Sequence, residues 1–329
     1  MDTVIKQIDE QSISLAKNIL FEGGIIGMPT ETVYGLGAIA TMPEAVKKIF
    51  QVKGRPSDNP LIAHVHKDYD LNKLVKINHE YVYKLINNFM PGPLTLVLES
   101  KGVVCAEAVC GGHTLAIRMP SHEGCQKLLK AVDMPIVAPS ANLSKHTSPV
   151  TAIHVYNDLN GKIPLILDGG KSIGGIESTV LDVTEYPPRI LRAGLVTKEM
   201  VESVVGACEI AEHKEGDKVK SPGVKYRHYR PKCETALFAF DQQNEVKKYY
   251  DEIASTGKIP YIMCASGYQK DFEGRNLLLL GNSPEEIASN LYDKLLEGER
   301  VADVIIAISM PNERGVNMGI MNRLRKSCG

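Results

Sequence analysis

Residues 53–60 have the sequence KGRPSDNP, and residues 140–142 have the sequence SAN. In the first stretch, Lys53 and Arg55 place two cations one residue apart, in a segment stiffened by prolines. A guanidinium offers a planar fork to phosphate oxygens, and an ammonium offers a mobile point charge. The combination predicts the binding of a polyphosphate and indicates nucleotide chemistry.

The composition favours a soluble α/β protein with a small ligand. The chain has 329 residues, 43% of them hydrophobic, so it is long enough to bury a full core and to form about two domains. Its formal net charge is -1, its aromatic content is 6% and it has no tryptophan. No global basic field is therefore available to hold a long nucleic acid, and a small anionic ligand fits better.

The cysteines and the apolar runs bear on the cellular compartment. Seven cysteines with no Cys-x-x-Cys pair disfavour both a disulfide framework and a structural zinc site. The start of the chain is too acidic for a signal peptide, and the longest apolar run, residues 304–310, is far shorter than a membrane span. We expect a cytoplasmic protein with reduced thiols and no membrane contact.

Local patterns predict how the cationic motif is presented. Apolar residues at helical spacing predict a helix over residues 13–21. The sequence TMPE at residues 41–44 predicts a capping box that opens a second helix. This helix would deliver Lys53 and Arg55 at its exit, and Gly54 would let the backbone approach a ligand closely.

Short apolar runs between turn signals predict the strands of a twisted, largely buried sheet. The runs are residues 25–28, 94–98, 115–119, 136–138, 165–167 and 180–183. The two-residue period of a strand puts Thr114 and Arg118 on the same face. We therefore expect these two side chains to face one ligand.

A basic connector divides the chain. Residues 217–232 contain six Lys and Arg residues and one histidine against a single acid, and their prolines block regular structure. Beyond them, strand-like and helix-like segments alternate as in βαβ units, with a capped helix from Ser283. We predict a first domain over residues 1–208, a linker that acts as a lid over residues 209–232, and a small Rossmann-like domain over residues 233–329.

A set of motifs occurs in one order along the first two-thirds of the chain. The motifs are PTETVYGL at 29–36, KGR at 53–55, NPL at 59–61, His64, PGPLT at 91–95, APSAN at 138–142 and ESTV at 177–180. The chain thereby resembles the threonylcarbamoyl-AMP synthases built on a YrdC-like domain, and its connector resembles that of the longer, two-domain members. The resemblance implies an α/β fold in which a twisted open mixed sheet with helices precedes a smaller Rossmann-like α/β domain.

The resemblance implies a phosphate and metal site. In the family the Lys and Arg bind the ATP phosphates, while the Ser and Asn complete the anion and metal site. The expected catalytic residues are therefore Lys53, Arg55, Ser140 and Asn142. Without the resemblance, the two cations would be interpreted as solvated charges at a helix end. Mg²⁺ is the implied cofactor, held mainly through the ATP phosphates, and its protein ligands stay open.

The resemblance also implies substrate contacts. For L-threonine the matching positions are Thr32, His64, Arg118 and Ser178, and for ATP they are Arg55, Asn59, Thr114, Ala138, Ser140, Ser148, Arg192 and, in the connector, Tyr226. Taken alone, Thr32 would be a turn residue, His64 a core imidazole and Arg118 a surface charge. The chemistry is nevertheless coherent, because a guanidinium grips a carboxylate bidentately and hydroxyl or imidazole groups satisfy a threonine hydroxyl.

The implied activity is synthesis of L-threonylcarbamoyladenylate from L-threonine, bicarbonate or CO2, and ATP, with release of pyrophosphate. It would be the first step of threonylcarbamoyladenosine formation in tRNA. The implied partners are small-molecule substrates and a downstream tRNA threonylcarbamoyl transferase machinery, with weak or no direct tRNA binding. The sequence contains no evident Ser-His-Asp arrangement and no Walker loop, which favours positioning and charge neutralisation over covalent catalysis. An RNA-binding module and a non-catalytic nucleotide sensor are the alternatives.

Overall fold

The computed structural model describes residues 2–211 and 229–329, which form two α/β parts. The strands of the first part are β1 (Val4–Gln7), β2 (Ile26–Met28), β3 (Gly35–Ile39), β4 (Ile62–His64), β5 (Val75–Lys76), β6 (Leu94–Ser100), β7 (Thr114–Arg118), β8 (Ile136–Val137), β9 (Leu165–Asp168), β10 (Thr179–Asp182), β11 (Arg189–Arg192) and β12 (Glu209–Ile210). Its helices are α1 (Glu10–Phe21), α2 (Pro43–Lys53), α3 (Tyr81–Phe89), α4 (Ala106–Val109), α5 (Glu123–Val132), α6 (Ala152–Leu159) and α7 (Lys198–Val205). A single turn of 3-10 helix spans Leu71–Lys73.

The strands of the first part form one mixed sheet. Their order is β1-β9-β2-β3-β8-β4-β7-β6-β10-β11-β12, and β5 pairs with β6 off this path. The sheet contains both parallel pairs, such as β4 with β7, and antiparallel pairs, such as β7 with β6. The predicted mixed sheet with helices is therefore confirmed. The predicted strands correspond to β2, β6, β7, β8, β9 and β10, and the remaining strands were not predicted.

Helix α2 presents the cationic motif, although it begins differently from the prediction. Its N-cap is Met42, which makes no side-chain capping bond, so the capping box predicted from Thr41 is wrong. Pro43 opens the helix instead, because its missing N–H would have no partner there in any case. Gly54 ends the helix in the left-handed conformation, with φ of +58°.

A β-carbon on Gly54 would meet no atom within 4 Å. The glycine is therefore favoured by its backbone conformation, because other residues adopt a positive φ at a cost. The other expected reason, close approach of the backbone to a ligand, stays a prediction. The left-handed cap still turns the chain sharply between Lys53 and Arg55.

Strand register brings the polar candidates into one row. In β7, Arg118 lies opposite His64 of β4 on one side and opposite Thr95 of β6 on the other. Ser178 immediately precedes β10, which pairs with β6. Because paired residues in neighbouring strands point to the same face, the side chains of His64, Arg118 and Thr95 share one face of the sheet.

The second part is a small parallel α/β unit. Its elements are β13 (Glu234–Phe238), α8 (Gln243–Ser255), β14 (Pro260–Cys264), a 3-10 segment (Ser266–Phe272), β15 (Leu277–Leu279), α9 (Pro284–Val301), β16 (Val304–Ile308) and α10 (Val316–Cys328). The four strands are all parallel, in the order β13-β16-β14-β15. The expected cap of α9 is present, since Ser283 and Glu286 form a capping box. This part confirms the smaller α/β domain that the sequence predicts.

The two parts share a hydrophobic core. Val33, Val150 and Ile176 of the first part belong to the same buried cluster as Leu291 of α9 and Leu324 of α10. Continuous apolar packing therefore fixes α9 and α10 against the first part. The predicted domain limits stay predictions, because residues 212–228 lie outside the described chain. No helix among the described residues is long and apolar enough to cross a membrane.

Candidate functional site

A cavity lies on the polar face of the sheet, where the two parts meet. It spans about 630 Å³, open solvent included. Its lining includes ten of the predicted residues, namely Thr32, Arg55, His64, Arg118, Ala138, Ser140, Asn142, Ser148, Ser178 and Arg192. It also includes Thr30, Val33, Gly35, Ile62, Pro139, His146, Glu177 and Tyr229, which the sequence did not predict. Positions scattered over more than a hundred residues thus converge on one volume.

Lys53 does not line this cavity but supports its wall. Only 3% of its surface is exposed, and its Nζ donates to the backbone carbonyls of Ser140 and Asn142. Burial, and then the charge of Arg55, hold the pKa of Lys53 well below its ordinary value. The interpretation of Lys53 as a solvated cation at a helix end is therefore wrong. Its ammonium ties the end of α2 to the loop that carries SAN.

Arg55 is the cation that reaches the cavity. Its Nη2 donates to the backbone carbonyl of Asn59 at 3.1 Å, while its Nε makes no hydrogen bond within the described chain. Burial lowers the pKa of Arg55 to about 10, so the guanidinium stays charged at neutral pH. A half-buried guanidinium with a buried, unsatisfied Nε is suited to bind an anion.

Arg118 lies beside a buried carboxylate. Its Nη2 is 2.8 Å from Glu31 Oε1, and the two side chains are 5% and 6% exposed. This contact is a buried ion pair, and Nε of Arg118 makes no hydrogen bond with any described residue. A guanidinium with an unsatisfied donor on the cavity side is suited to bind a ligand carboxylate. The expectation that Arg118 is a surface charge is excluded.

His64 is a neutral imidazole in this wall. It is buried, and its Nδ1 lies 3.1 Å from the backbone carbonyl of Ile62. Burial, and then the charge of Arg118, lower the pKa of His64 to about 3. A neutral ring next to Arg118 offers a ligand a hydrogen bond without adding a second positive charge.

Buried hydroxyls surround the same region. Thr30 Oγ1 and Thr32 Oγ1 are 2.9 Å apart, and Thr30 Oγ1 donates to the carbonyl of Val33 at 2.7 Å. On the neighbouring strands, Thr95 Oγ1 and Ser178 Oγ are 2.7 Å apart. Because hydroxyls both donate and accept, these pairs would accommodate a small polar ligand by rotating their protons.

The cavity lining also contains a third arginine and a glutamate. Arg192 donates from Nε to the carbonyl of Ser178 at 3.0 Å and from Nη2 to its hydroxyl at 3.1 Å. Glu177 accepts from Ser148 Oγ at 2.7 Å. Burial would raise the pKa of Glu177, but Arg323 and Arg192 together lower it to about 2. Glu177 is therefore an ionised carboxylate at neutral pH.

Asn142 holds the SAN loop and exposes an oxygen. Its Nδ2 donates to the carbonyls of Leu143 and His146, each at 2.8 Å. Its Oδ1 is buried and accepts no hydrogen bond from the described part of the chain. Amide oxygens are among the ligands that Mg²⁺ takes. Residues 2–211 and 229–329 contain no group of three or more His, Cys, Asp and Glu side chains arranged for a metal.

His146 joins the cavity wall to both parts of the molecule. Its Nδ1 is 2.7 Å from Asp158 Oδ2 on α6, and its Nε2 is 2.7 Å from Glu299 Oε2 on α9. Burial opposes protonation, but Asp158 and Glu299 raise the pKa of His146 to about 9. An imidazolium with a carboxylate on each side therefore links α9 to the loop after SAN.

The stability contributed by His146 is expected to fall at alkaline pH. Its folded pKa of about 9 exceeds the ordinary 6.5, so the contribution is complete below pH 6.5 and is lost as the pH rises through 9. Glu299, which also accepts from the backbone of Lys232, stays ionised in this window because its pKa is about 2. The free energy of unfolding, measured from pH 6.5 to 9, should converge for the wild type and His146→Gln. The free energy of unfolding of His113→Gln, which changes an exposed histidine, should follow a pH curve parallel to that of the wild type. A parallel curve for His146→Gln would contradict the ion pairs assigned to His146.

The structure does not bring every predicted residue to the cavity. Thr114 starts β7 opposite Glu99, four residues from Arg118, and so lies about 13 Å along the strand from it. Asn59 is buried behind Arg55, and its side-chain amide finds no hydrogen-bond partner among the described residues. The predicted contact from Tyr226, and the lid of which it is part, fall outside the described residues.

Tyr229 is the aromatic residue that the structure places at the cavity. It is 5% exposed, its φ is +71°, and its ring stacks on Tyr292 with centroids 5.3 Å apart. Nothing in the sequence predicts that Tyr229 lies at the cavity, apart from its position near the end of the basic connector. Glu177 was within reach of sequence reasoning, since it begins the quoted ESTV motif. His146 carried no local signal, because its partners lie on distant helices.

Comparison with known proteins identifies the family. The family model described as Telomere recombination (Sua5_yciO_yrdC) matches residues 18–194, and the one described as Threonylcarbamoyl-AMP synthase, C-terminal domain, matches residues 196–329. A threonylcarbamoyl-AMP synthase of Pyrococcus abyssi is 42% identical over 335 residues, covering 99% of this chain and 96% of the relative. The chain belongs to the threonylcarbamoyl-AMP synthase family. The Bacillus subtilis threonylcarbamoyl-AMP synthase is 40% identical and covers 98% of this chain and 94% of its own.

Solved structures agree with this assignment. The crystal structure of P. abyssi Sua5 complexed with L-threonine matches with a TM-score of 0.90 at 40% identity, over 99% of this chain and 96% of that one. The predicted family, in its two-domain form, is confirmed. Membership of the threonylcarbamoyl-AMP synthase family makes the chain a nucleotidyltransferase-type enzyme.

Proposed function

We propose that this enzyme makes L-threonylcarbamoyladenylate from L-threonine, bicarbonate or CO2, and ATP, with release of pyrophosphate. One observation carries the proposal. Arg118, a buried guanidinium that is ion-paired with Glu31 through Nη2 and whose Nε has no hydrogen-bond partner among the described residues, lines the same cavity as Arg55, Ser140 and Arg192. The cavity would thus bind the carboxylate of an amino acid through Arg118 and the phosphates of a nucleotide through the other residues. The relative whose solved structure contains L-threonine has the same fold.

The amino acid would bind on the Arg118 side. Its carboxylate would accept from the Arg118 guanidinium, whose Nε has no partner among the described residues, and its hydroxyl would pair with the polar groups of Thr32, His64 and Ser178. The low pKa of His64 keeps that ring neutral, so it does not compete with Arg118 for the carboxylate. This arrangement selects a small amino acid with a side-chain hydroxyl.

The chemistry consists of two bond-forming steps. The neutral threonine amine attacks the carbon of CO2, one C–O π bond breaks, and the nitrogen releases a proton to solvent, which leaves a carbamate. A carbamate oxygen then attacks the α-phosphorus of ATP, and the bond from that phosphorus to the bridging oxygen breaks, so pyrophosphate leaves. Phosphoryl and nucleotidyl transfers need chiefly positioning and charge stabilisation from a protein. Arg55, the SAN loop and Arg192 would supply both.

Mg²⁺ is the cofactor in this proposal. Asn142 Oδ1 fits it, because this buried oxygen accepts no hydrogen bond from any described group and lies in the loop with Ser140. A protein usually contributes only one or two ligands to a Mg²⁺ ion that a nucleotide holds. When bound, the ion would neutralise charge on the phosphate oxygens.

The product would enter tRNA modification. We propose that a downstream tRNA threonylcarbamoyl transferase machinery takes the threonylcarbamoyl group to form threonylcarbamoyladenosine, and that this protein itself binds tRNA weakly or not at all. The net charge of -1 supports that view, since long nucleic acids need a basic surface. We place the reaction in the cytoplasm, and the seven free thiols support that compartment.

Pyrophosphate release tests the proposed function. The wild type should release pyrophosphate from ATP only when threonine and bicarbonate are both present, and omission of either should reduce the rate to background. ATP binding without release would point to a nucleotide sensor. Salt-dependent RNA binding without threonine-dependent turnover would point to an RNA-binding module.

Arg55→Ala should weaken the use of ATP. One charge-assisted hydrogen bond contributes about 1.5 to 3 kcal/mol, so kcat/KM for ATP should fall by roughly ten- to two-hundredfold. Steady-state kinetics with threonine and bicarbonate saturating measure the effect. Lys47→Ala, which removes an exposed cation from α2, is the matched control and should be near wild type. Equal kinetics for the two variants would refute the phosphate role of Arg55.

A further inference from the structure

Glu177 is the point where the second part of the molecule reaches the cavity wall. Its Oε2 accepts from Arg323 Nε of α10 at 3.0 Å, and Tyr292 of α9 donates to its Oε1 and Oε2 at 3.2 and 3.0 Å. On the cavity side, Oε1 accepts from Ser148 at 2.7 Å. One carboxylate therefore connects α9 and α10 to a residue that lines the site.

Arg323 is held rigidly for this contact. Its side chain is fully buried, and its Nη1 donates to the carbonyls of Ala193 at 2.5 Å and Gly319 at 3.4 Å. Its guanidinium carbon lies 5.9 Å from the ring centroid of Tyr229. Breaking a buried ion pair by removing one partner is costly, because it leaves an uncompensated charge. Arg323 thus matters for the charge balance of Glu177 as well as for packing.

The electrostatic consequence falls on Arg192. Glu177 carries a negative charge with two guanidiniums near it, Arg323 behind and Arg192 at the cavity. While Arg323 satisfies the carboxylate, Arg192 is left to donate to Ser178. Without Arg323, the unpaired carboxylate would attract Arg192 and would lose the backing that orients Ser148. Both effects would disturb the wall predicted to contact the nucleotide.

We propose that Arg323 and Tyr292 are positioning residues that act through Glu177 to hold Ser148 and Arg192 in place for the nucleotide. The inference rests on the proposed function, in which this wall binds ATP. It gives the second part of the molecule an indirect role in nucleotide binding, through two side chains that do not line the cavity themselves.

Tyr292→Phe is the mildest test. It removes the hydroxyl but keeps the ring that stacks on Tyr229. Tyr250→Phe is the matched control, since that hydroxyl accepts from the backbone of Asn276 within the same part of the molecule. We expect the Kd of ATP, measured by calorimetry, and its KM to rise roughly fivefold in Tyr292→Phe, while the KM of threonine stays within about twofold. Tyr250→Phe should change neither constant.

Arg323→Met and Arg323→Lys extend the test. The first should raise the KM of ATP by more than tenfold, and the second should recover part of the loss, because an ammonium still balances Glu177. Adding Glu177→Gln to Arg323→Met should also recover ATP affinity, since it removes the unpaired charge. Arg275→Met breaks an exposed ion pair with Asp251 and serves as control. If Arg323→Met does not fold, Tyr292→Phe alone decides.

The outcomes separate the inference from the proposed function. An unchanged Kd for ATP in Tyr292→Phe would overturn the inference even if the wild type shows threonine-dependent pyrophosphate release. Equal losses for ATP and threonine that follow a lower Tm would also overturn it, since they indicate a merely structural role. A wild type that binds ATP but releases no pyrophosphate would refute the proposed function, and the Kd comparison would still decide the inference.

Discussion

Lys53→Met is expected to lower kcat/KM for ATP by at least about a hundredfold. Two hydrogen bonds from a buried amine hold the carbonyls of Ser140 and Asn142, and methionine would leave both carbonyls without a donor. Each lost bond, with its buried unsatisfied acceptor, costs about 1 to 3 kcal/mol. The loop would relax away from the geometry that presents Ser140 and the Asn142 oxygen.

Lys53→Met should also lower the free energy of unfolding, whereas removal of a surface cation would change it little. Kinetics must therefore be measured well below the Tm of the variant. Lys48→Met is the matched control, because Lys48 lies on the same helix, is exposed, and donates to a backbone carbonyl, that of Gly23. Near-wild-type turnover in Lys53→Met would show that the SAN loop does not depend on this ammonium.

The sequence predicts Lys53 as a site residue, but it does not predict the contacts that the structure gives this side chain. Resemblance placed it in the site, and it would have been interpreted as a direct phosphate ligand. The structure shows a residue with 3% exposure whose amine is engaged by backbone carbonyls. Which atoms a lysine meets depends on a loop almost ninety residues away along the chain, and local patterns carry no information about such a contact.

Strand alternation predicted the face on which Arg118 lies, which is the face of the proposed amino-acid site. The period of two in β7 placed Arg118 on a ligand-facing side, and the register of β4 and β7 then put His64 beside it. The same alternation places Thr114 on that face but four residues away along the strand, so its contact with the same ligand stays a prediction. Strands such as β3, with the sequence GLGAI, escaped prediction because glycines weaken the strand pattern.

The contacts between the two parts were beyond sequence reasoning. Glu177 and Arg323 are 146 residues apart, and His146 and Glu299 are 153 apart. In the sequence, each of these residues is an ordinary charged residue in its own element, and only the tertiary structure shows which residues pair. The second part was predicted as a separate domain, yet its helices α9 and α10 contribute side chains that support the cavity wall.

Arg118→Gln is expected to raise the KM of threonine by at least about a hundredfold. A bidentate guanidinium makes two charge-assisted bonds to a carboxylate, each contributing about 1.5 to 3 kcal/mol, and a neutral amide replaces neither well. The Kd of ATP, measured by calorimetry without threonine, should change little, because Arg55 and Arg192 remain. Arg118→Lys keeps a charge near Glu31 but loses the planar fork, so its KM for threonine should lie between those of the wild type and Arg118→Gln.

The buried carboxylate of Glu31 would also affect the stability of Arg118→Gln, and a double variant separates this effect from threonine binding. In Arg118→Gln its carboxylate stays buried without a counter-charge, which costs stability, so Glu31→Gln combined with Arg118→Gln should restore the Tm without restoring the KM of threonine. Arg189→Gln, which removes an exposed cation from β11, is the control for charge alone. Loss of ATP binding with threonine binding retained would show that Arg118 serves the nucleotide. Recovery of both Tm and KM in the double variant would mean that Arg118 only balances Glu31, and that the carboxylate of the amino acid binds elsewhere.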